Sequence, residues 1–350
     1  MIRVGLLGTG RIGRLHAKTI ASHSESTLYA VSDIDSGSAN ELAVHYGATV
    51  KSSEEIISDS NIDAILIATS TDTHAGFIEK ASLAGKAILC EKPVDLSLSR
   101  AKECLKKVSA ANNPIMIGFN RRFDPNFAQL KKSLDDSEIG KSELLTITSF
   151  DPAPPPVSYV KTSGGLYRDM MIHDFDLSNF IMDELPVTIS AVGHSLINPE
   201  IGAVGDVDTA VVTMIYADGK IAVIKNSRRA AYGYDQRIEI LGSEGLLQAE
   251  NIVENSVVKS TEAGVLSAKP KYFFLAVSKL RTLFVESSSR RTHTQRAVRL
   301  GSYCTTFYTF LWTTAAVKIR STRLNTAKMF FPARTHMTPN HSWLCLRSVL

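Results

Sequence analysis

The first 120 residues alternate between short apolar runs and longer segments of mixed polarity. Five runs have the length and composition of buried parallel strands, at 2–7, 28–31, 62–68, 87–90 and 115–118. The segments between them predict helices, at 12–23, 39–46, 73–84 and 98–111. Strands that alternate with helices predict an α/β domain built on a doubly wound parallel sheet, as in a Rossmann fold.

Beyond residue 140 the pattern changes to a series of strands. The runs are rich in Val, Ile and Thr and lie at 144–150, 189–192, 209–216, 221–226 and 237–241. The sequence Ala217-Asp218-Gly219-Lys220 predicts a hairpin turn between two of them. Because no helical pattern is evident between these strands, we expect them to form an antiparallel sheet.

A glycine-rich turn joins the first predicted strand to the first predicted helix. Its residues, which are the candidate cofactor contacts, are Gly8, Thr9, Gly10, Arg11, Ile12 and Gly13. The glycines of such a turn let the backbone approach a pyrophosphate, and the helix N-terminus attracts its charge. Asp33 lies 20 residues beyond Gly13, at the spacing of the carboxylate that binds the ribose. No Lys or Arg follows Asp33 directly, so the sequence predicts NAD rather than NADP as cofactor.

The segment 164–176 places a carboxylate and an imidazole four residues apart, at Asp169 and His173. On a helix these positions share one face, and an imidazole can take a proton from a hydroxyl near neutral pH. Lys92 directly follows a predicted strand, at the edge of the sheet where ligands bind. A solvated surface charge is the alternative interpretation of this lysine.

Five motifs occur in an order that resembles the Gfo/Idh/MocA oxidoreductases, and within them the inositol 2-dehydrogenases. They are GTGRIG, Asp33, Glu91-Lys92-Pro93, the segment 118–123 and the segment 164–176. The resemblance covers about residues 1–275. It implies an NAD-binding Rossmann domain at 1–120, then an α+β substrate and oligomerisation domain at 121–275 with an open, mostly antiparallel sheet.

The same resemblance implies an activity and a set of site residues. The activity is NAD-dependent oxidation of a cyclic polyol hydroxyl, such as that of myo-inositol, to a ketone; another sugar or cyclitol is the alternative substrate. By position, Lys92 contacts the reacting hydroxyl and His173 is the acid/base. The expected substrate contacts are Lys92, Asn120, Asp169, His173 and Tyr232, while Glu91 and Lys92 are also expected beside the cofactor. Tyr232 could equally be a sheet-edge aromatic residue.

Other charged residues receive structural interpretations. We expect His74 to have a structural role, and Arg121 and Arg122 to form interdomain ion pairs rather than phosphate contacts. Asp174 and Asp176 extend the Asp/His cluster, but a dehydrogenase with a histidine base needs no metal. The chain carries four Cys without metal-ligand spacing and no apolar run long enough to span a membrane. These features predict a cytoplasmic enzyme without membrane or nucleic-acid partners. If the second domain folds, we expect a homo-oligomer, either a tetramer or a dimer.

The segment 276–350 differs from the rest of the chain. It contains 12 Lys and Arg but one acidic residue, Glu286, whereas the whole chain has a net charge of +4. A basic tail could bind nucleic acid or an anionic surface, but this one is rich in bulky aromatic residues. Our hypothesis is a reading-frame change near residue 275. A non-catalytic nucleotide-binding product is therefore an alternative to the enzyme.

Overall fold

The computed structural model describes residues 1–111 and 113–250, together with the backbone of a short strand at Ala327–Met329. These residues fall into two compact units. The first comprises Met1–Gln129 and Thr162–Asp176, and the second comprises Leu130–Lys161 and residues from Leu177 onward. Apart from the strand Ala327–Met329, the predicted basic tail at 276–350 lies outside the described residues.

The first unit is built on a six-stranded sheet in the order β3-β2-β1-β4-β5-β6. The strands are β1 (Ile2–Leu7), β2 (Ser26–Ser32), β3 (Thr49–Val50), β4 (Ala64–Ile67), β5 (Ala87–Cys90) and β6 (Ile115–Ile117). All five neighbouring pairs are parallel. The strand order reverses between β1 and β4, so their carboxyl ends form the crevice where doubly wound sheets bind ligands. The predicted Rossmann architecture is thus confirmed.

Helices connect these strands on both faces of the sheet. They are α1 (Arg11–Ser22), α2 (Ser36–Tyr46), α3 (Ser53–Ser58), α4 (Thr71–Leu83) and α5 (Leu98–Val108). The short α3 and β3 were not predicted, although α3 begins with a capping box in which Ser52 and Glu55 bond each other's backbone amides. The strands β4 and β5 are buried along their whole length, because helices cover both faces.

Further helical segments follow β6. A 3₁₀ turn (Asn120–Phe123) leads into α6 (Pro125–Asp135), and α7 (Val157–Ser163) precedes a π-helical turn (Leu166–Met170) and α8 (Ile172–Met182). Gly164 and Gly165 both have positive φ, at 89° and 77°, which favours glycine there. The paired glycines therefore end α7 and redirect the chain into the π-helical turn.

The second unit contains a seven-stranded sheet in the order β12-β11-β7-β10-β9-β8-β13. Its elements are β7 (Ser142–Phe150), β8 (Thr188–His194), α9 (Pro199–Ala203), β9 (Thr209–Ile215), β10 (Ile221–Ser227), β11 (Asp235–Gly242), β12 (Leu246–Ala249) and β13 (Ala327–Met329). The predicted hairpin joins β9 to β10.

The second sheet is mostly antiparallel, as the family resemblance implies, but it is not antiparallel throughout. β10 pairs in parallel with β7, which corrects the expectation drawn from the strand pattern alone. Parallel neighbours require a crossover connection, and α7 and α8 lie in the chain between β7 and β8. The expectation failed because these helices were not recognised in the sequence.

One face of the second sheet is buried and the other is partly apolar and accessible. Burial alternates along β8, β9 and β11, as expected for strands with one covered face. On the open side, six apolar side chains of the strands β7 to β11 are 38–49% exposed: Leu144, Val192, Val211, Ile215, Ile221 and Leu241. We call these six residues the open face.

Candidate active site

The glycine-rich turn between β1 and α1 is shaped for close backbone contact. Gly8 has a φ of 95°, and a Cβ added there would lie 2.4 Å from the carbonyl oxygen of Ala68. A Cβ at Gly13 would lie 2.0 Å from the carbonyl oxygen of Gly8. By contrast, a Cβ at Gly10 would meet no described atom within 4 Å. Gly8 and Gly13 thus serve internal packing, while Gly10 leaves room for a ligand.

Asp33 lies at the end of β2 and contacts this turn. Its carboxylate accepts hydrogen bonds from the amide of Thr9 at 2.5 Å and from the Thr9 hydroxyl at 3.0 Å. Its other oxygen accepts one from the amide of Asp35 at 2.9 Å. Burial would raise the pKa of Asp33, but these hydrogen bonds outweigh it, and the pKa lies below its ordinary value. The carboxylate is therefore ionised and held beside the turn.

These features fit a dinucleotide. The first helical turn of α1 follows Gly10, which has no side chain to cap it, so the N-terminal amides of α1 are not bonded by a capping side chain. Such amides bind phosphate groups. Gly8 to Gly13 would hold the pyrophosphate of a bound dinucleotide, and Asp33 would face its ribose hydroxyls.

Lys92 and Asp169 form the polar centre of the first unit. Lys92 follows β5, and its ammonium group donates to the backbone oxygen of Asp169 at 2.7 Å and to Asp169 Oδ1 at 3.2 Å. The two side chains are only 16% and 15% exposed. The structure therefore brings together two predicted site residues that are 77 positions apart in the chain.

The imidazole of His173 lies within electrostatic reach of Lys92. Burial, and then the positive charges of Lys92 and Arg121, lower the pKa of His173 well below its ordinary value of 6.5. Its Nδ1 is buried and has no hydrogen-bond partner among the described residues. The Phe119 ring packs edge-to-face against the imidazole of His173, with the ring centroids 6.3 Å apart. His173 is thus unprotonated at neutral pH.

Asp169 and His173 do not lie on one regular helix. Asp169 belongs to the π-helical turn, and His173 lies in the first turn of α8. The Met171 amide donates to the carbonyl of Leu166, five residues earlier, which is the π-helical pattern. The extra residue per turn changes the relative direction of the two side chains. The contact of Asp169 with Lys92 therefore does not depend on the shared helical face that the four-residue spacing predicts for Asp169 and His173.

The other predicted site residues occupy different surroundings. Asn120 lies in the 3₁₀ turn, is partly exposed, and its side chain makes no hydrogen bond to the described residues. The carboxylate of Glu91 lies 2.7 Å from His16 Nε2, and a Cβ added at Gly118 would lie 3.1 Å from that carboxylate. Tyr232 belongs to the second unit, where its hydroxyl donates to Asp235 at 2.6 Å. Burial and the neighbouring Asp235 carboxylate raise the pKa of Tyr232 to about 12.

Arg121 and Arg122 form ion pairs with carboxylates, as predicted in preference to phosphate contacts. Arg121 pairs with the fully buried Asp174, and Arg122 makes a two-pronged contact with Asp176. All four residues belong to the first unit, so these pairs are not interdomain in the observed partition. Within the described part of the chain, no group of three His, Cys, Asp or Glu side chains is placed to bind a metal ion. No helix there is long and apolar enough to cross a membrane.

Two family profiles match nearly the whole described chain. The NAD-binding Rossmann domain of the GFO/IDH/MocA oxidoreductases matches residues 2–119, and the C-terminal domain of the same family matches residues 127–248. The chain belongs to the Gfo/Idh/MocA oxidoreductase family. It therefore carries an NAD-binding Rossmann domain and is an oxidoreductase by family.

Several relatives within this family are named for inositol. The inositol 2-dehydrogenase of Rhizobium meliloti (strain 1021) is 48% identical over 274 residues, which cover 78% of this chain and 83% of the relative. A myo-inositol dehydrogenase structure from Corynebacterium glutamicum ATCC 13032 is 34% identical. Its alignment covers 87% of this chain and 94% of the other chain, with a TM-score of 0.76. A scyllo-inositol dehydrogenase structure from Lactobacillus casei with bound NAD(H) and scyllo-inositol is 27% identical, with coverages of 89% and 96% and a TM-score of 0.77.

Some residues of this site could not be identified from the sequence. Phe119 belongs to the quoted 118–123 motif, yet nothing in the motif predicts that its ring packs on His173. His16 lies in α1, and its bond to Glu91 joins residues 75 positions apart. A histidine on the buried side of α1 is the one local signal, since buried polar groups require a hydrogen-bond partner.

Proposed function

We propose that this chain is an NAD-dependent inositol 2-dehydrogenase, which oxidises one ring hydroxyl of a cyclic polyol to a ketone. The observation that carries the proposal is the cluster of Lys92, Asp169 and His173 at the carboxyl end of β5, within the unit that contains the glycine-rich turn. The inositol-named relatives support the same substrate class.

In this proposal His173 accepts the proton of the reacting hydroxyl. Its lowered pKa keeps the imidazole neutral, which is the form that can act as base. Lys92 contacts the oxygen of that hydroxyl and stabilises the negative charge that develops as the proton leaves. Two of its hydrogen bonds go to Asp169, so the ammonium group is fixed in direction and retains a donor for the substrate.

Asp169 has two tasks in the same scheme. Its contacts orient Lys92, and its carboxylate can accept a hydrogen bond from a second hydroxyl of the polyol. The unbonded side chain of Asn120 supplies a further contact to the substrate. Bound NAD supplies the hydride acceptor, and the residues that would hold it are Gly8 to Gly13 with Asp33.

The test is turnover of the purified full chain with NAD and a panel of polyols. Oxidation of myo-inositol or scyllo-inositol, followed by NADH absorbance, is the expected result. His173→Ala should lower kcat by about 10²–10⁴-fold and leave the Kd for NAD unchanged. His45→Ala, on the exposed surface of α2, is the matched control. Near-normal turnover of His173→Ala would remove His173 from the mechanism, and NAD binding without any polyol turnover would favour the non-catalytic alternative.

The preference for NAD over NADP is a separate part of the proposal. The ionised Asp33 carboxylate lies beside the turn, and the next three residues are Ile34, Asp35 and Ser36, with no basic side chain. A 2′-phosphate would face this carboxylate and be repelled. Calorimetric titration of both nucleotides should give much weaker NADP binding. Equal binding of the two would contradict the role given to Asp33.

We also propose that the chain associates with copies of itself through the open face. Its six apolar side chains are 38–49% exposed, and they lie on β7, β8, β9, β10 and β11. Four of them, Ile215, Ile221, Leu144 and Leu241, are cross-strand neighbours in one row, and exposed apolar side chains grouped in this way are typical of a protein interface. Sedimentation velocity should detect a dimer or tetramer, and Val211→Glu should dissociate it. A monomer in both proteins would contradict the assignment of this face.

A further inference from the structure

Two buried histidines contact the segment Glu91–Pro93 on either side of Lys92. His16 lies in α1 and His74 lies in α4, and both residues are buried. The proposed chemistry uses neither of them. Both belong to the first unit, together with Lys92 and Asp169.

His16 holds the residue before Lys92. Its Nε2 lies 2.7 Å from Glu91 Oε1, and the two side chains are 5% and 19% exposed. On another side the carboxylate packs against the backbone of Gly118, where an added Cβ would lie 3.1 Å from Glu91 Oε2. The Glu91 side chain is therefore confined between α1 and the end of β6. This restricts the backbone conformation of Glu91, the residue before Lys92.

His74 holds the residue after Lys92. Its Nδ1 lies 2.8 Å from the carbonyl oxygen of Pro93, and its Nε2 lies 3.0 Å from the carbonyl oxygen of Thr69. Thr69 follows β4, and its amide nitrogen would lie 2.8 Å from a Cβ at Gly8. His74 thus links the backbone beside the glycine-rich turn to the backbone beside Lys92.

A carbonyl oxygen can only accept, so each of these contacts requires an N–H on the ring. A neutral imidazole has one N–H and satisfies one contact, whereas an imidazolium satisfies both. The ring therefore lies between the loops that follow two adjacent strands of the sheet, and it donates to one of them when neutral and to both when protonated.

We propose that His16 and His74 are positioning residues that hold the Glu91–Pro93 backbone so that Lys92 reaches Asp169 and the substrate hydroxyl. This inference rests on the proposed function of Lys92 and His173. A displacement of about 1 Å of a catalytic group can cost up to about 10²-fold in rate. The two contacts therefore affect the reaction without touching the reacting atoms.

The test uses side chains that retain one ring contact at a time. At position 74, Asn places its amide nitrogen near Nδ1 and can donate to Pro93, whereas Gln places it near Nε2 and can donate to Thr69. At position 16, Gln can still donate to Glu91, whereas Leu cannot. His45→Gln on the exposed face of α2 is the control. We expect kcat/KM with inositol to fall by about tenfold to 10²-fold in His74→Gln and His16→Leu, and less in His74→Asn and His16→Gln.

The pH profile separates positioning from a general loss of stability. Lys92 and Arg121 are the charged groups that act on His173. If Lys92 moves away, protonated His173 is less disfavoured, so the acid limb of kcat/KM shifts to higher pH. This shift is expected in His74→Gln and His16→Leu, but not in the two conservative variants or the control.

Two outcomes would overturn parts of this scheme, and they differ. If all four variants lose only thermal stability and keep the wild-type acid limb, then the histidines are structural and the inference fails. If the wild-type chain binds NAD but oxidises no inositol, or keeps its acid limb in His173→Ala, then the proposed function itself fails before the variants are compared.

Discussion

The ion pair between Arg122 and Asp176 gives the sharpest stability prediction. Arg122 Nε donates to Asp176 Oδ2 at 2.7 Å, a second guanidinium nitrogen bonds the other carboxylate oxygen, and the side chains are 15% and 9% exposed. Burial raises the pKa of Asp176 despite the attraction of Arg122. Desolvation of the carboxylate is therefore incompletely offset by its partner. Removing one member of such a pair leaves a buried charge, which costs about 3–5 kcal/mol.

This cost is large against the usual net stability of about 5–15 kcal/mol. We expect Arg122→Met and Asp176→Leu each to lower the free energy of unfolding by several kcal/mol. The double variant should be far less destabilised than the sum of the two, because apolar replacement of a buried pair is often close to neutral. Urea unfolding followed by circular dichroism measures all four corners of this cycle.

A surface ion pair of similar length is the control. Arg14 and Glu41 lie 2.6 Å apart, but their side chains are 40% and 67% exposed. Breaking this pair should have little effect on the free energy of unfolding, because solvent screens exposed charges. If Arg122→Met costs no more than Arg14→Met, or if the two substitutions at 122 and 176 are additive, then burial does not govern the energy of the pair and the reasoning is wrong.

Three further predictions concern the site and its pH dependence. The acid limb of kcat/KM should lie below pH 6.5, because the pKa of His173 is lowered from that value; a limb at or above pH 6.5 would contradict the neutral-base assignment. Gly13→Ala should abolish NAD binding in a calorimetric titration, since its Cβ would lie 2.0 Å from the Gly8 oxygen, whereas Gly76→Ala, with open space in α4, should leave binding intact. The pKa of Asp176 is higher in the folded protein than its unfolded value of 3.8, so protonated Asp176 stabilises the fold below pH 3.8. This stabilisation is lost as the pH rises through the pKa of the folded protein. Asp176→Asn should therefore flatten the dependence of the urea midpoint on pH in this range.

The Rossmann unit was predictable because its signals are local. Each long apolar run, such as the one that becomes β1, is bounded by a turn and followed by a helical pattern. Asp33 was placed correctly at the end of β2, next to the glycine-rich turn, by its spacing alone. The two-residue strand β3 was missed, since its exposed Thr49 and Val50 carry no burial signal.

The second unit was less predictable because its topology depends on contacts that are distant in sequence. The β-branched runs identified the strands, but the parallel pairing of β7 with β10 depends on where the intervening crossover returns the chain. The helical segments at Val157–Ser163 and Ile172–Met182 were hidden by prolines, paired glycines and a π-helical turn. The helix Ile172–Met182 is buried at nearly every position, so its sequence has no polar side to give a helical period.

The candidate site depends both on local sequence signals and on contacts between distant residues, as Lys92 shows. The position of Lys92 after β5 follows from the local strand pattern. Its contact with Asp169, however, joins residues 77 positions apart, and only the family resemblance indicated that the two lie in one site. That contact determines two properties at once. The ammonium group is oriented by Asp169, and burial together with the charges of Lys92 and Arg121 lowers the pKa of His173. A lysine in the same motif without these neighbours would be an ordinary surface cation. The chemistry of the proposed reaction therefore depends on how firmly the chain holds Lys92 in place.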